Sequence, residues 1–375
     1  MKPEKVALMT CFLDNCGACL QAFALQQTIE KLGCKCDMIR FTEPNGYRRA
    51  SLLNSSRLID KLKCVRSKEF KRQYDAGLYK ISAFNIFRKK YLKLTKEEYK
   101  TYDSLSAISN GYPAFVCGSD QIWNPTFYKK CNPAYYLAFV PDGIKKIAYA
   151  PSIGLNDIPE EYRASFQKYV ERFDSLSVRE KRGAELISAY TGRTAEFVLD
   201  PTLLLSTAEW KRLVKAPAKK RPYIFCYLFG RHEYYREVID RMISKTGYDA
   251  VMYPIFREDG DAPYEKVING GPQEFISLIS EAEYVLTDSF HATVFSLIFN
   301  RSFYTLIRDS DNDKNSMNSR IYSLLECVGK TDRLLAKEDA LTVEPVPVSD
   351  FSGANQTIAA LKESSIQYLK KALEE

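Results

Sequence analysis

The sequence predicts a two-domain α/β protein in which two wound sheets face each other across a cleft. Three observations predict it. Short apolar runs alternate with helical stretches along most of the chain, the pattern of parallel sheets wrapped by helices. The 375 residues are long for one core and suit two domains of about 150–200 residues each. A Pro/Lys-rich stretch at 215–222, "KAPAKKRP", separates two such alternating series. The units expected are residues 1–205, with a basic helical insertion at 57–100, then 222–345, then a terminal helix at 350–375 that packs back on the first unit.

Taken in order, Val6–Phe12 reads as a strand and Cys19–Leu32 as an amphipathic helix closed by Gly33. Asp37–Phe41 is the next strand candidate. The segment 57–100 reads as helical insertion rather than core. Ala114–Cys117, "AFVC", is a buried strand running into "GSDQIWNPTF". Ile147–Ala150, Ser175–Val178 and Glu196–Leu199 are further strands, each ending in a polar motif. A helix bearing Trp210 precedes the linker. The second series opens with "YIFCYLF" at 223–229, a near-continuous apolar run typical of a strand buried on both faces. Helix 233–245, strand 249–253, helix 272–281, strand 283–287, helix 290–299 and a last helix at about 356–374 follow. Ligands of such sheets sit at the carboxyl ends of the strands, and the polar motifs cluster there, which points to an enzyme.

Composition narrows the class. Hydrophobic content of 45% and charged content of 27% are those of a globular chain. The apolar run Val6–Leu13 is too short for a signal segment, and no run approaches the ~20 apolar residues of a membrane span, so a cytoplasmic protein is expected. Ten cysteines in a chain of this size do not suggest a disulfide framework. Residues 57–100 carry 14 Lys/Arg against 5 Asp/Glu, which accounts for the net charge of +7. Aromatic and aliphatic residues interleave there. The stretch reads either as a helix with one solvated face or as a surface for an anionic membrane or a phosphate-linked substrate. No nucleic-acid motif accompanies the charge, and no nucleic-acid partner is expected.

The chemistry-bearing residues are few. Of two histidines, His291 in "TDSFHATVF" falls in the first turn of a helix capped by Asp288 or Ser289, where the helix dipole disfavours imidazolium. Its role is open between structural and catalytic. His232 in "GRHEYY" reads as a loop residue. Arg179 in "LSVREKRG" follows a strand and points to the cleft, while Arg320 opens a helix after the polar loop 309–319, read as a mobile lid. Each guanidinium is either an anion clamp or a salt-bridge partner. Ser119, Asp120, Gln121 and Asn124 surround Trp123 in "GSDQIWN", a donor and acceptor set beside an aromatic face, as a sugar ring requires; a structured turn with Trp123 buried is the alternative. Asp200 in "LDPTLLL" is equally suited to bracing loops and to catalysis. Cys11, Cys16 and Cys19 have the C-x4-C-x2-C spacing of an iron–sulfur loop, but no fourth ligand follows at the right spacing, so no metal is expected.

The ordered set is more specific than its members. "NCGACLQAFALQ", "VCGSDQIWNP", "IAYAPSIG", "LSVREKRG", "VLDPTLLL", "GPQEFISLISEAEYVLTDSFHATVFSLIF" and "SRIYSLLECVG" resemble, in order and spacing, the polysaccharide pyruvyl transferase family over residues 6–330. The resemblance implies two Rossmann-like domains in a GT-B-like architecture. It implies transfer of the enolpyruvyl carbon of phosphoenolpyruvate to two hydroxyls of a sugar, giving a cyclic ketal and phosphate. No cofactor is implied beyond that donor. His291 matches the family's catalytic histidine and Arg179 the arginine that holds the donor. Asn15 and Gly17 match the family's N-terminal loop, where Gly17 admits a tight turn into a helix whose N-terminus can face an anion. Ser152 of "IAYAPSIG" joins the 119–124 set on the acceptor side.

One departure stands out. Family members commonly carry an arginine two residues before the histidine; here it is Ser289, so Arg320 or Lys314 would have to supply the missing charge to the donor. The "DSFH" and "GSDQIWN" forms suggest a subgroup. The implied acceptor is a surface-polysaccharide sugar, lipid-linked and brought to the inner face of the membrane by 57–100. Rival readings are a glycosyltransferase using a nucleotide sugar, disfavoured because no Glu-x7-Glu pair lies between 255 and 290, and a non-catalytic carbohydrate-binding protein.

Overall fold

β1 (Lys5–Met9) is buried on both faces, Val6 and Leu8 toward one apolar cluster and Ala7 and Met9 toward another. That double burial requires helices on both sides and explains why the strand reads as a continuous apolar run. The structure, a computed structural model, describes residues 2–42, 68–215, 221–256, 258–267, 270–310 and 316–375.

In the first sheet β1 lies between β2 (Lys35–Phe41) and β4 (Ala114–Cys117), with β3 (Leu94–Tyr99) and β5 (Lys145–Ala148) at the edges. The order β3-β2-β1-β4-β5 is all parallel, with the strand order reversing beside β1. A two-stranded pair, β6 (Ser177–Val178) and β7 (Glu196–Phe197), follows. The second sheet repeats the pattern. β8 (Tyr223–Tyr227), β9 (Asp249–Met252), β10 (Glu265–Lys266), β11 (Tyr284–Thr287), β12 (Ser302–Leu306) and β13 (Leu334–Leu335) stand in the order β10-β9-β8-β11-β12-β13. Both orders are those of a doubly wound nucleotide-binding sheet, whose ligand crevice lies where the order reverses.

The two sheets share one apolar layer. It runs from Leu20 and Leu25 through Leu203 and Trp210 to Phe275 and Phe295. The Trp-bearing helix Thr207–Lys211 is fixed by a capping box between Ser206 and Glu209, and Trp210 meets Phe295 edge-on at 4.9 Å. The C-terminal helix, Ser352–Glu374, starts four residues earlier than expected and reaches the first sheet. Ser365 Oγ accepts from the Leu199 N–H (3.0 Å), and the Tyr368 hydroxyl donates to the Ala148 carbonyl (2.9 Å).

The 57–100 stretch needs correction. Residues 57–67 lie outside the described residues, and Lys68–Tyr91 is a helix, but Leu94–Tyr99 is no part of an insertion. It is β3, paired with β2 through Met38–Leu94 and Phe41–Tyr99. Lys96, Glu97 and Glu98 conceal it, because an edge strand carries charge on its open side while Thr95 and Tyr99 face inward. The helix also reaches the other unit. Phe84 and Phe87 are buried, the Lys80 ammonium stands 4.9 Å from the Tyr253 ring, and the Tyr91 hydroxyl accepts from Gln273 Nε2 (3.1 Å).

Candidate functional site

Asn15 ends the loop after β1 and caps the Cys16–Lys31 helix, its side-chain oxygen accepting from the Ala18 N–H (3.1 Å). The helix therefore begins three residues before the sequence suggested. Gly17, in its first turn, is required by a neighbour: a Cβ there would lie 2.2 Å from His291 Nδ1. Gly118, after β4, is required by the backbone, with φ +131° and the Tyr149 carbonyl where a side chain would go. The chain then turns through Asp120, at φ +67°, to place it toward the cleft.

His291 comes from the other sheet, in the first turn of Phe290–Ile298 after β11. Its Nε2 is buried without a hydrogen-bond partner among the described residues, 3.6 Å from Asp200 Oδ2. Asp200 is a hub. It accepts from Arg179 Nη1 (2.7 Å), the Ser119 hydroxyl (3.3 Å), the Thr202 N–H (3.0 Å) and the Thr202 hydroxyl (2.7 Å). Burial alone would raise its carboxyl; His291, Arg179 and Thr202 outweigh that and hold it far below the usual range. Asp120, likewise opposed by burial, is held low by Arg179, His291 and Arg320. Both are carboxylates at neutral pH.

A pocket of about 690 Å³, open mouth included, lies between the sheets. Asn15 and Ala18, Ser289, Phe290 and His291, and Arg320 bring three helix N-termini to it. Asp120, Gln121, Tyr128 and Phe127 form one wall, and Phe229, Arg308 and Met317 another. Arg320 is 6% exposed and has no carboxylate within ion-pair distance among the described residues. Its Nε donates to the Met317 carbonyl (3.2 Å), and the Gln121 amide oxygen, turned toward it, accepts from both terminal nitrogens at 2.8 and 3.2 Å. Burial, with Arg179 and Arg308 nearby, brings its pKa down to about 10. Arg308 by contrast is held charged against burial by Asp288.

The structure divides the expected residues. His291, Ser289, Arg320, Asn15, Asp120 and Gln121 converge on the pocket, while Gly17 backs the His291 ring. Arg179 does not reach it. Its guanidinium is fully buried behind Phe290, 4.4 Å from that ring, bound by Asp200 and Asp120 (Nη2 to Oδ1, 3.0 Å). It therefore braces two carboxylates rather than clamping a donor. Trp123 is no sugar platform: it stacks on Tyr136 at 4.9 Å in the core and donates to the Tyr135 carbonyl (3.1 Å). Ser119 is buried on the Ala150 carbonyl (2.6 Å), Asn124 caps the short helix Pro125–Tyr128, and the Ser152 hydroxyl is buried without a partner among the described residues; none of the three lines the pocket. Lys314 lies outside the described residues, as do its neighbours 311–315 in the loop read as a lid.

The sequence reading missed Arg308 and Phe290 and left Asp200 undecided. Asp288 and Arg308 stand just past β11 and β12, so the strand-end rule that singled out Arg179 could have found them. The opening cysteines have other partners. Cys19 donates to the Phe12 carbonyl (3.0 Å) and Cys16 meets the Tyr253 hydroxyl (3.3 Å), and burial pushes the Cys16 thiol up to about 12. Among the described residues no group of three His, Cys, Asp or Glu side chains is placed to hold a metal.

Two doubly wound sheets with a cationic, histidine-bearing pocket between their switch points form an α/β architecture of GT-B type. The chain belongs to the polysaccharide pyruvyl transferase family, whose family model matches residues 15–310. Among curated proteins none matches it. Similar solved structures include Staphylococcus aureus MnaA in a co-structure with UDP, at 13% identity and TM-score 0.52 over 91% of this chain and 87% of that one. Arabidopsis thaliana UGT89C1 complexed with UDP-L-rhamnose matches at 10% identity and TM-score 0.51 over 100% and 98%. At these identities the likeness is one of fold.

Proposed function

We propose that this transferase moves the enolpyruvyl group of phosphoenolpyruvate onto two hydroxyls of a surface-polysaccharide sugar, closing a cyclic ketal and releasing phosphate. The observation that carries the reading is Arg320, a buried guanidinium with no carboxylate within ion-pair distance among the described residues, beside a histidine–aspartate pair. A buried cation left uncompensated is costly, and an anionic ligand relieves that cost.

The steps balance with the residues at hand. His291 gives a proton to the methylene carbon of the donor, with the Asp200 carboxylate 3.6 Å from its Nε2. The carbon bearing the phosphate becomes oxocarbenium-like, and the first sugar hydroxyl attacks it, returning its proton to His291. The C–O bond to phosphate then breaks, the second hydroxyl closes the ring, and its proton leaves with the phosphate. Arg320 and the N-terminus of Phe290–Ile298 neutralise the donor's negative charge. Asp120 accepts from a sugar hydroxyl on the facing wall, which Gln121 also lines. The protein supplies this chemistry without a cofactor.

The acceptor is lipid-linked in this reading, and the Lys68–Tyr91 helix touches an anionic membrane through Ile81, Ile86, Lys89 and Lys90, all exposed. No helix among the described residues is long and apolar enough to cross one.

Thermal unfolding with phosphoenolpyruvate and with a panel of nucleotide sugars tests the donor. A ligand at 100 times its Kd adds roughly 2.7 kcal/mol of stability. Phosphoenolpyruvate is expected to stabilise, and His291→Ala to keep that stabilisation while losing phosphate release. A nucleotide sugar stabilising in its place would make this a glycosyltransferase. Stabilisation by a sugar alone would make it a binding protein.

A further inference from the structure

Arg308 sits in "TLIRDSDN", two residues beyond β12. The parallel register pairs Thr287 with Thr305, which sets Arg308 level with the first turn of Phe290–Ile298. Two of its three nitrogens are fixed there. Nε donates to Asp288 Oδ2 (3.0 Å) and Nη2 to the Asp288 carbonyl (2.6 Å). The third, Nη1, has no hydrogen-bond partner among the described residues, on a residue that lines the pocket beside Ser289.

Asp288 does not match this charge one to one. Its carboxylate also accepts from the Phe229 N–H (2.7 Å), the Gly230 N–H (2.6 Å) and the Tyr235 hydroxyl (3.2 Å). A carboxylate shared among four donors orients the guanidinium while leaving much of its potential directed outward. Ser289 brings no charge of its own to the same helix end. Arg320 reaches the pocket from a different helix, Ser319–Cys327, so the two arginines come from separate elements.

We propose that Arg308 is a second anion clamp, tethered by Asp288, that supplies at the end of Phe290–Ile298 the cation Ser289 lacks and holds one of the two anionic groups of the donor. Arg320 holds the other. The inference rests on phosphoenolpyruvate being the donor, and it explains how a carboxylate and a phosphate are bound at once in a pocket from which Arg179 is withdrawn.

Isothermal titration with phosphoenolpyruvate and with inorganic phosphate tests it on the full chain. Arg308→Ser is expected to weaken phosphoenolpyruvate about 10- to 100-fold, the range for a lost charged hydrogen bond. Adding Ser289→Arg to Arg308→Ser is expected to recover most of that loss, because it restores a cation at the same helix end. A bracing role alone would not be rescued in this way. Unchanged affinity in Arg308→Ser, or loss without recovery, overturns the clamp. Should Arg308→Ser not fold, Arg308→Lys serves: it keeps the charge, and a loss of 100-fold or more there would overturn the clamp in favour of bracing. Wild type that titrates with phosphate but not phosphoenolpyruvate, with Arg308→Ser weakening phosphate, sinks the donor and sustains the clamp. Wild type that titrates with neither overturns both.

Discussion

Arg320 opposes stability and function at a single side chain. It is buried and makes no ion pair among the described residues, and burial with Arg179 and Arg308 nearby depresses its pKa to about 10, against the opposing pull of Asp120. For a base the sign is clear: a depressed pKa means the charged form, present at neutral pH, costs the folded state more than the unfolded one. Arg320→Met is therefore expected to raise the stability of the ligand-free protein by about 1 kcal/mol, since replacing buried charge by apolar volume is often stabilising. The same change should abolish stabilisation by phosphoenolpyruvate. Urea unfolding with and without the donor reads both. A variant less stable than wild type and still responsive would show that Arg320 belongs to the packing. Some of this was legible beforehand: His291 stood out because histidine is rare in the chain, and Arg320 because it opens a helix after a polar loop. The status of Asp200 was not legible, because it depends on Arg179 and His291 arriving from two other segments.

At the level of elements, alternation of apolar runs located the buried strand β4 to the residue and β1, β8 and β11 to within one to three residues. Where a strand lies at an edge, charge erases the pattern, and β3 was lost. The Cys16–Lys31 helix hid its first turn because a cysteine and a glycine begin it, the glycine being there for the His291 ring. "GSDQIWN" misled for a related reason. Polar residues beside an indole are also what a tight turn anchored in a core looks like, and here Trp123 stacks on Tyr136 and meets Phe166 and Phe173 edge-on. Trp123→Ala is thus expected to cost about 3–5 kcal/mol of stability, as deletion of a buried large side chain does. Phosphoenolpyruvate affinity, measured at a temperature where the variant is folded, should be unchanged. Calorimetric unfolding and titration separate the two, and lost acceptor turnover at full stability would return Trp123 to the sugar site.

At the scale of the whole molecule, two charged surfaces of different depth stand out among the described residues, and salt should tell them apart. One is the pocket, where Arg320 is 6% exposed and flanked by low-dielectric walls between two sheets that share an apolar layer. The other is the open face of the Lys68–Tyr91 helix, where Ile86 is 58% exposed beside Lys89 and Lys90. Mobile ions screen exposed charges over about 8 Å at physiological ionic strength but reach buried groups poorly. Raising salt from about 0.05 M to about 0.5 M should therefore release the protein from anionic vesicles while leaving phosphoenolpyruvate affinity nearly intact. Vesicle co-sedimentation and titration across the same salt series read the two independently. A donor affinity that falls in step with vesicle binding would mean the donor sits at the mouth of the cleft, outside the reach of Arg320. Vesicle binding that persists at high salt would assign membrane contact to Ile81 and Ile86 rather than to charge. Absence of vesicle binding at any salt would leave the helix with the role its other face already has, joining the first sheet to Tyr253 and Gln273 of the second.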